Sequence, residues 1–280
     1  MSHRFITRRP PTRGFSLVAY LFAAALPLIA ASIAAAADMA MPIKAPPVPA
    51  YSWTGCYVGG NLGGGTSASN FGSTVDPGTY LGPADAATVS ADGAGSKNAI
   101  GLVGGGQVGC NWQTGTLVLG LEGDFDSFHS NPNINNNTAA TGVSLANGSP
   151  FANTQSLSTN FLATVRPRVG IAADRNFAYV TGGVAFTSIS YAESYSDANP
   201  APGPGAGAAS VSRSLVGWTA GAGWEYALAE HWTVRAEYLI AGFPTTNLTA
   251  TIVAPGGTNT LHGSADLFVQ VLRAGVNFKF

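Results

Sequence analysis

Polar and apolar residues alternate along most of this chain with a period of two. From Leu117, Leu119, Leu121 and Phe125 share one face while Glu122, Asp124 and Asp126 occupy the other. Phe161, Ala163, Val165, Val169 and Ile171 stand opposite Arg166 and Arg168, and Val216, Trp218, Ala220, Ala222, Trp224 and Tyr226 stand opposite Thr219 and Glu225. Trp232, Val234, Ala236, Tyr238 and Ile240 are separated from Arg235 and Glu237 in the same way. Such alternation predicts strands of a sheet with one apolar and one polar face. Eight segments carry it, at about 53–66, 98–112, 116–128, 159–173, 177–191, 213–227, 232–244 and 267–280. Short turns (QTG, DRN, LAEH) alternate with long polar connections at about 67–97, 129–158, 192–212 and 245–266. Short turns, long loops and an even strand count predict an all-β fold, an eight-stranded antiparallel transmembrane β-barrel with four long outer loops.

A soluble barrel also alternates, so three further features choose the membrane. Each segment supplies the roughly 9–11 residues that a tilted membrane strand needs. Aromatics gather at the short-turn end, where Trp53, Tyr57, Trp112, Phe177, Tyr179, Trp224, Tyr226 and Trp232 are expected to form an interfacial girdle. The chain ends RAGVNFKF, with Phe278 and Phe280 as alternating aromatics. In this setting the glycines of WTGCYVGGNLGGG (53–65) read as the first strand of a tightly curved wall. In the same segment Trp53 and Tyr57 are expected to anchor the rim.

Composition adds an export route. Arg4, Arg8, Arg9 and Arg13 precede an apolar run that ends in small residues, which predicts a signal peptide over 1–37 cleaved after Ala37. Removing those four arginines from thirteen basic residues leaves nine against fourteen acids, a net charge of −5. That excludes a nucleic-acid partner, which would need a basic patch. Residues 38–51 are proline-rich and read as an extended periplasmic lead-in, leaving 52–280 for the barrel. The uncharged stretch 99–121 holds seven glycines and is a poor helix.

YSWTGCYVGGNLGGG near the mature start, GLVGGGQVGCNWQTG before a short turn, and the closing RAGVNFKF resemble the porin-family immunogenic outer-membrane proteins of rhizobia and brucellae, within the class of small OmpA-type barrels. The resemblance covers essentially the whole mature chain and is weakest in the loops. It implies an outer-membrane location in a Gram-negative cell and insertion by the barrel-assembly machinery, with Phe280 as the terminal recognition feature. It supplies no catalytic motif and no cofactor.

Several motifs carry competing readings. GGGQVG, Gly104–Gly109, spells a dinucleotide fingerprint, but a turn and another strand follow where a phosphate-binding helix would be required. With the apolar faces toward lipid, Glu122, Asp124, Asp126, Arg166, Arg168, Glu225, Arg235, Glu237 and Arg273 point into the lumen, where charges must pair. They predict either a lumenal salt-bridge network filling the barrel or a charge-lined constriction. Val269 and Val271 share a face with Arg273, which suggests a bulge or a rim effect. Cys56 and Cys110 lie on adjacent antiparallel strands, as a disulfide or as two lipid-facing thiols. His129, His231 and His262 are scattered among loops and a turn without metal-ligand spacing. Asp126, Ser127 and His129 are sequence neighbours, but adjacent strand residues face opposite ways, so no hydrolase triad is expected. The functional expectation is a structural envelope protein surrounded by outer-membrane lipid, presenting surface loops. A narrow diffusion channel and a receptor whose loops at 131–138 or 200–209 bind a host or environmental ligand are the alternatives.

Overall fold

In a computed structural model of the chain, residues 51–137 and 143–280 are described. The signal peptide with Ala37, most of the lead-in and position 138 of the asparagine-rich loop lie outside those residues. Among the described residues, nine strands form in order: β1 Gly55–Val75, β2 Gly95–Thr114, β3 Leu117–Ser130, β4 Asn133–Asn137, β5 Phe151–Ala173, β6 Asn176–Asp197, β7 Ala206–Ala227, β8 Trp232–Ala254 and β9 Gly257–Lys279. A helix, α1, spans Pro83–Asp92. Antiparallel pairing runs β3-β2-β1-β9-β8-β7-β6-β5, and β3 also pairs with β5, which closes a ring of eight. The short turns fall at 115–116, 174–175 and 228–231, and Gly115 and Asp174 adopt the positive φ that tight reversals need.

Outside, the wall is apolar: Leu119, Leu121, Phe125, Val165, Val180, Val216 and Val276 are all exposed. A soluble fold would not leave such a belt uncovered.

Three expectations need correction. The strands run well past the apolar segments, so the outer connections are largely sheet: 245–266 is a hairpin whose ladder reaches Ala254 and Gly257. The asparagine-rich 131–138 supplies β4, which pairs with β5. Beyond the membrane the outer face no longer needs to be apolar. In 153–159, for example, Asn153, Gln155 and Leu157 point inward while Thr154, Ser156 and Ser158 point outward, so the ladder continues after the hydropathy signal has vanished.

The second correction is α1, within the first connection. Pro83 starts it without losing a helical hydrogen bond, and Ala86 and Val89, one turn apart, are buried against Val75, Leu81, Phe151, Ile252 and Leu261. The helix corks the outer mouth.

Third, the aromatic girdle is only half realised. Trp112, Trp224 and Trp232 face outward and Tyr226 is half-buried, but Trp53, Tyr57, Phe177 and Tyr179 are buried inside. Glycine decides this. A Cβ at Gly109 would lie 2.3 Å from the Tyr57 hydroxyl, and one at Gly223 would lie 2.5 Å from that of Tyr179. The two rings lie flat on the inner wall because the neighbouring strand has no side chain there.

Candidate functional site in the barrel lumen

Period-two geometry sends every second residue inward, and the interior changes character with height. At the short-turn end, Trp53 packs at a tilt against Phe177 at 5.1 Å and meets Tyr51 edge-on at 5.0 Å. Its indole Nε1 donates to the Asp174 carbonyl at 3.3 Å. Phe177 in turn stacks on Tyr179 at 5.1 Å. This aromatic layer closes the periplasmic end.

Above it lie the nine charged residues read from the sequence, all buried. Arg166 bonds Glu122 at 2.8 Å, Asp124 at 2.7 Å and Glu237 at 3.3 Å. Arg168 reaches Glu225 at 3.2 Å and Glu122 at 3.5 Å, and its guanidinium lies 4.8–5.3 Å from the rings of Tyr57, Phe177 and Tyr179. Arg235 binds Glu122 and approaches Glu237 at 3.9 Å. Arg273 meets Glu237 at 2.6 Å, Asp124 at 3.2 Å and Asp126. Four arginines therefore face five carboxylates.

Neutral groups take up the remaining acceptor capacity. Tyr57 donates to Glu122 and Tyr179 to Glu237 at 3.0 Å; Asn61 donates to Asp126 at 2.8 Å and Asn277 to Glu225 at 2.9 Å. Thr164 donates to Asp124 at 2.6 Å. These neutral partners were missed in the sequence, although their inward parity beside the charged positions was a usable signal. A cluster this connected has its stakes in completeness, because an unpaired buried ion costs several kcal/mol.

One layer higher the lumen turns apolar. Val103, Phe128, Leu162, Ala185, Leu215, Leu239, Leu267, Val269 and Val271 pack into one cluster across the barrel. Val269 and Val271 therefore share a face with Arg273 because the interior changes from ionic to aliphatic along β9. The expected bulge is not at that height: pairing of β8 with β9 is continuous from Phe243 opposite Leu267 to Trp232 opposite Phe278, and the irregularity falls between Phe243 and Thr246.

The other sequence candidates lie elsewhere. Cys56 and Cys110 are directly opposed in the β1–β2 ladder and form a disulfide on the outer face. Phe278 points outward against Trp232, with ring centroids 5.1 Å apart, and Phe280 is exposed. His129 and His262 sit in β3 and β9 rather than in loops. Asp126 points into the charged layer, whereas Ser127 and His129 meet each other at 3.3 Å on the exposed side. No cluster of metal-ligating side chains occurs among the described residues.

The family model for the outer membrane protein beta-barrel domain matches residues 23–280. The chain belongs to this outer-membrane β-barrel family. Like its relatives, it resides in the outer membrane. The 31 kDa outer-membrane immunogenic protein of Brucella melitensis is 33% identical over 240 residues, covering 84% of this chain and 87% of the relative. The 25 kDa outer-membrane immunogenic protein of Brucella abortus is 28% identical over 261 residues, covering 92% and 95%. Among solved structures, OprG of Pseudomonas aeruginosa aligns over 81% of this chain and 97% of its own, at 12% identity and a TM-score of 0.36.

This outer-membrane barrel carries a second polar layer beyond the bilayer. Glu193 on β6 is 1% exposed and accepts hydrogen bonds from Ser73 at 2.9 Å and Tyr191 at 3.3 Å, with no cation bonded to it among the described residues. Burial pushes its carboxyl above the usual range. The folded state then keeps a proton that the unfolded chain has released, so stability falls as pH rises from the ordinary glutamate value to the raised one. Glu193→Gln should flatten this dependence. Urea midpoints of wild type and variant should differ more at pH 8 than at pH 5; an equal difference at both would refute the assignment.

Proposed function

We propose that this barrel is a closed, non-catalytic element of the outer membrane that stiffens the envelope and presents its extracellular wall. The observation that carries the reading is a lumen filled at every level, by aromatics, then paired ions, then aliphatics, then the helix-capped mouth. A conducting path would have to pass the aliphatic layer, where an ion finds no polar partner. Eight strands leave an interior that side chains alone can fill. The exposed terminal aromatic, Phe280, is the feature we assign to recognition by the barrel-assembly machinery.

Planar-bilayer recordings test the closed state. Refolded protein should insert without reproducible unit conductance. A steady conductance that changes with Arg166→Ala or Glu122→Ala would establish the narrow channel instead. Deleting the gene should sensitise cells to detergent, and plasmid-borne wild type should restore resistance; unchanged sensitivity would remove the envelope role.

A further inference from the structure

Within the bilayer every strand pairs with both neighbours, but beyond it pairing among the described residues lapses in two places: β2 has no partner on its β3 side above Val103–Phe128, and a seam bounded at both ends lies between β7 and β8. β7 and β8 pair from Ala227–Thr233 up to Trp218–Gly242 and meet again only at Ala206–Val253. Between them, residues 207–217 of β7 and 243–252 of β8 face each other without ladder pairing, although each still pairs with its other neighbour. Pro244, which has no N–H to offer, and the irregularity between Phe243 and Thr246 stand where the seam begins. The result is a slot closed at both ends.

Its lining is specific. Arg213 shares inward parity with Val211 and Leu215 and is paired with buried Ile189 on β6, yet its side chain is exposed, so it emerges at the slot. It makes no hydrogen bond or ion pair among the described residues. Continuing the register from either end of the seam places it opposite Thr246 or Asn247. Thr246 is fully buried and its hydroxyl lacks a partner. Leu215, Phe243 and Leu248, which flank the slot, are 7–8% exposed, more than any other buried member of the interior cluster. Just below, Trp218 lies across Gly242 and approaches Phe268 on β9 at 6.3 Å, an outward aromatic shelf over three strands. A Cβ on Gly242 would sit 2.7 Å from the indole nitrogen, so glycine permits the shelf.

The geometry points to a binding site for a phosphorylated outer-leaflet lipid: its phosphate on Arg213 and the Thr246 hydroxyl, and its acyl chain along Val216, Trp218 and Phe268. An unpaired guanidinium supplies the fork that phosphate oxygens match. Unladdered backbone N–H groups of the slot add neutral donors. The height fits, because Val216 and Trp218 are the last exposed apolar residues of β7 before Arg213, setting the cation at head-group level. Arg213 and Pro244 would also serve to protect an unpaired edge from strand addition, but that role alone leaves the Thr246 hydroxyl and the shelf unexplained. The site lies outside the lumen, so it stands whether or not the barrel conducts.

Native mass spectrometry of the full, detergent-refolded chain tests the assignment, with lipid A carrying its phosphates, the same lipid after phosphatase treatment, and inorganic phosphate as probes. A charge-assisted phosphate contact corresponds to about tenfold or more in affinity. The phosphorylated lipid should therefore bind at least about tenfold more tightly than its dephosphorylated form. Arg213→Ala should erase that preference and Thr246→Val should reduce it, while Lys97→Ala, an exposed cation on β2, should leave it intact. Heat-dependent gel migration verifies that each variant folds. Equal binding of the two lipids, an unchanged Arg213→Ala, or an equal loss in Lys97→Ala would overturn the site. Inorganic phosphate competing as strongly as the lipid would reduce it to a free-anion site and overturn the lipid assignment.

Discussion

Arg273→Met should lower the unfolding free energy of the barrel by about 3–5 kcal/mol, the range for removing one partner of a buried ionic cluster. Arg273 bridges Asp124, Asp126 and Glu237 from β9, so it ties β3 and β8 through the lumen. Without it, Asp124 and Glu237 keep only Arg166 and Arg235 as cationic partners, Asp126 loses its ion pair, and a buried methionine supplies neither charge nor hydrogen bonds. Urea titration of the folded band on cold gel electrophoresis reads the effect directly. Arg273→Lys should recover only part of the loss, because an ammonium cannot reproduce the planar fork. If Arg273→Met unfolded at the wild-type urea concentration, the cluster would be a bystander to stability, and the filled-lumen reading would lose its ionic layer.

The second large effect is expected on the opposite face. Val165 is 50% exposed and pairs with Gly123 and Val184 midway along the apolar belt. Val165→Arg would place a cation in hydrocarbon, at a cost of about 2–4 kcal/mol near the bilayer midplane. The same substitution at outward Ser190, well beyond the last exposed apolar residues of β6, should be nearly neutral. Refolding into lipid vesicles, followed by urea titration, compares the two. Equal stabilities would mean that Val165 does not face acyl chains.

These two variants probe the two faces of the strand pattern, and both faces are legible in the sequence. Val165 and Arg166 are adjacent, so opposite faces follow from strand geometry alone. The assignment of inside and outside then follows because lipid accepts the valine more cheaply than the arginine. The nine charges of the membrane-level layer were legible for the same reason, whereas buried Glu193, beyond the apolar belt, was not among them. Tyr57 and Tyr179 were misplaced by the same reasoning, because an aromatic near a strand end suits a membrane interface as well as a narrow lumen. What separates the alternatives is the missing side chain at Gly109 and Gly223, and only strand register reveals which glycine faces which ring.

The long polar connections mark a second boundary of legibility. Outside the bilayer, hydropathy no longer records which face is which, so 153–158 and 192–197 look like loops although they extend the barrel wall. The helix Pro83–Asp92 has a weak apolar face of alanine and valine, and its docking depends on partners from β1, β5, β8 and β9.

By itself, then, the order of residues determined an eight-stranded ring, its two faces, the membrane it spans and the ions it encloses, because a pleated strand in hydrocarbon permits only one arrangement of greasy and charged side chains. Tertiary structure alone decided which carboxylate meets which guanidinium, where ions give way to aliphatic packing, that Cys56 opposes Cys110, and where the wall opens between β7 and β8. Those outcomes depend on register between strands far apart in the chain, and a period of two repeats identically at every register that differs by two residues.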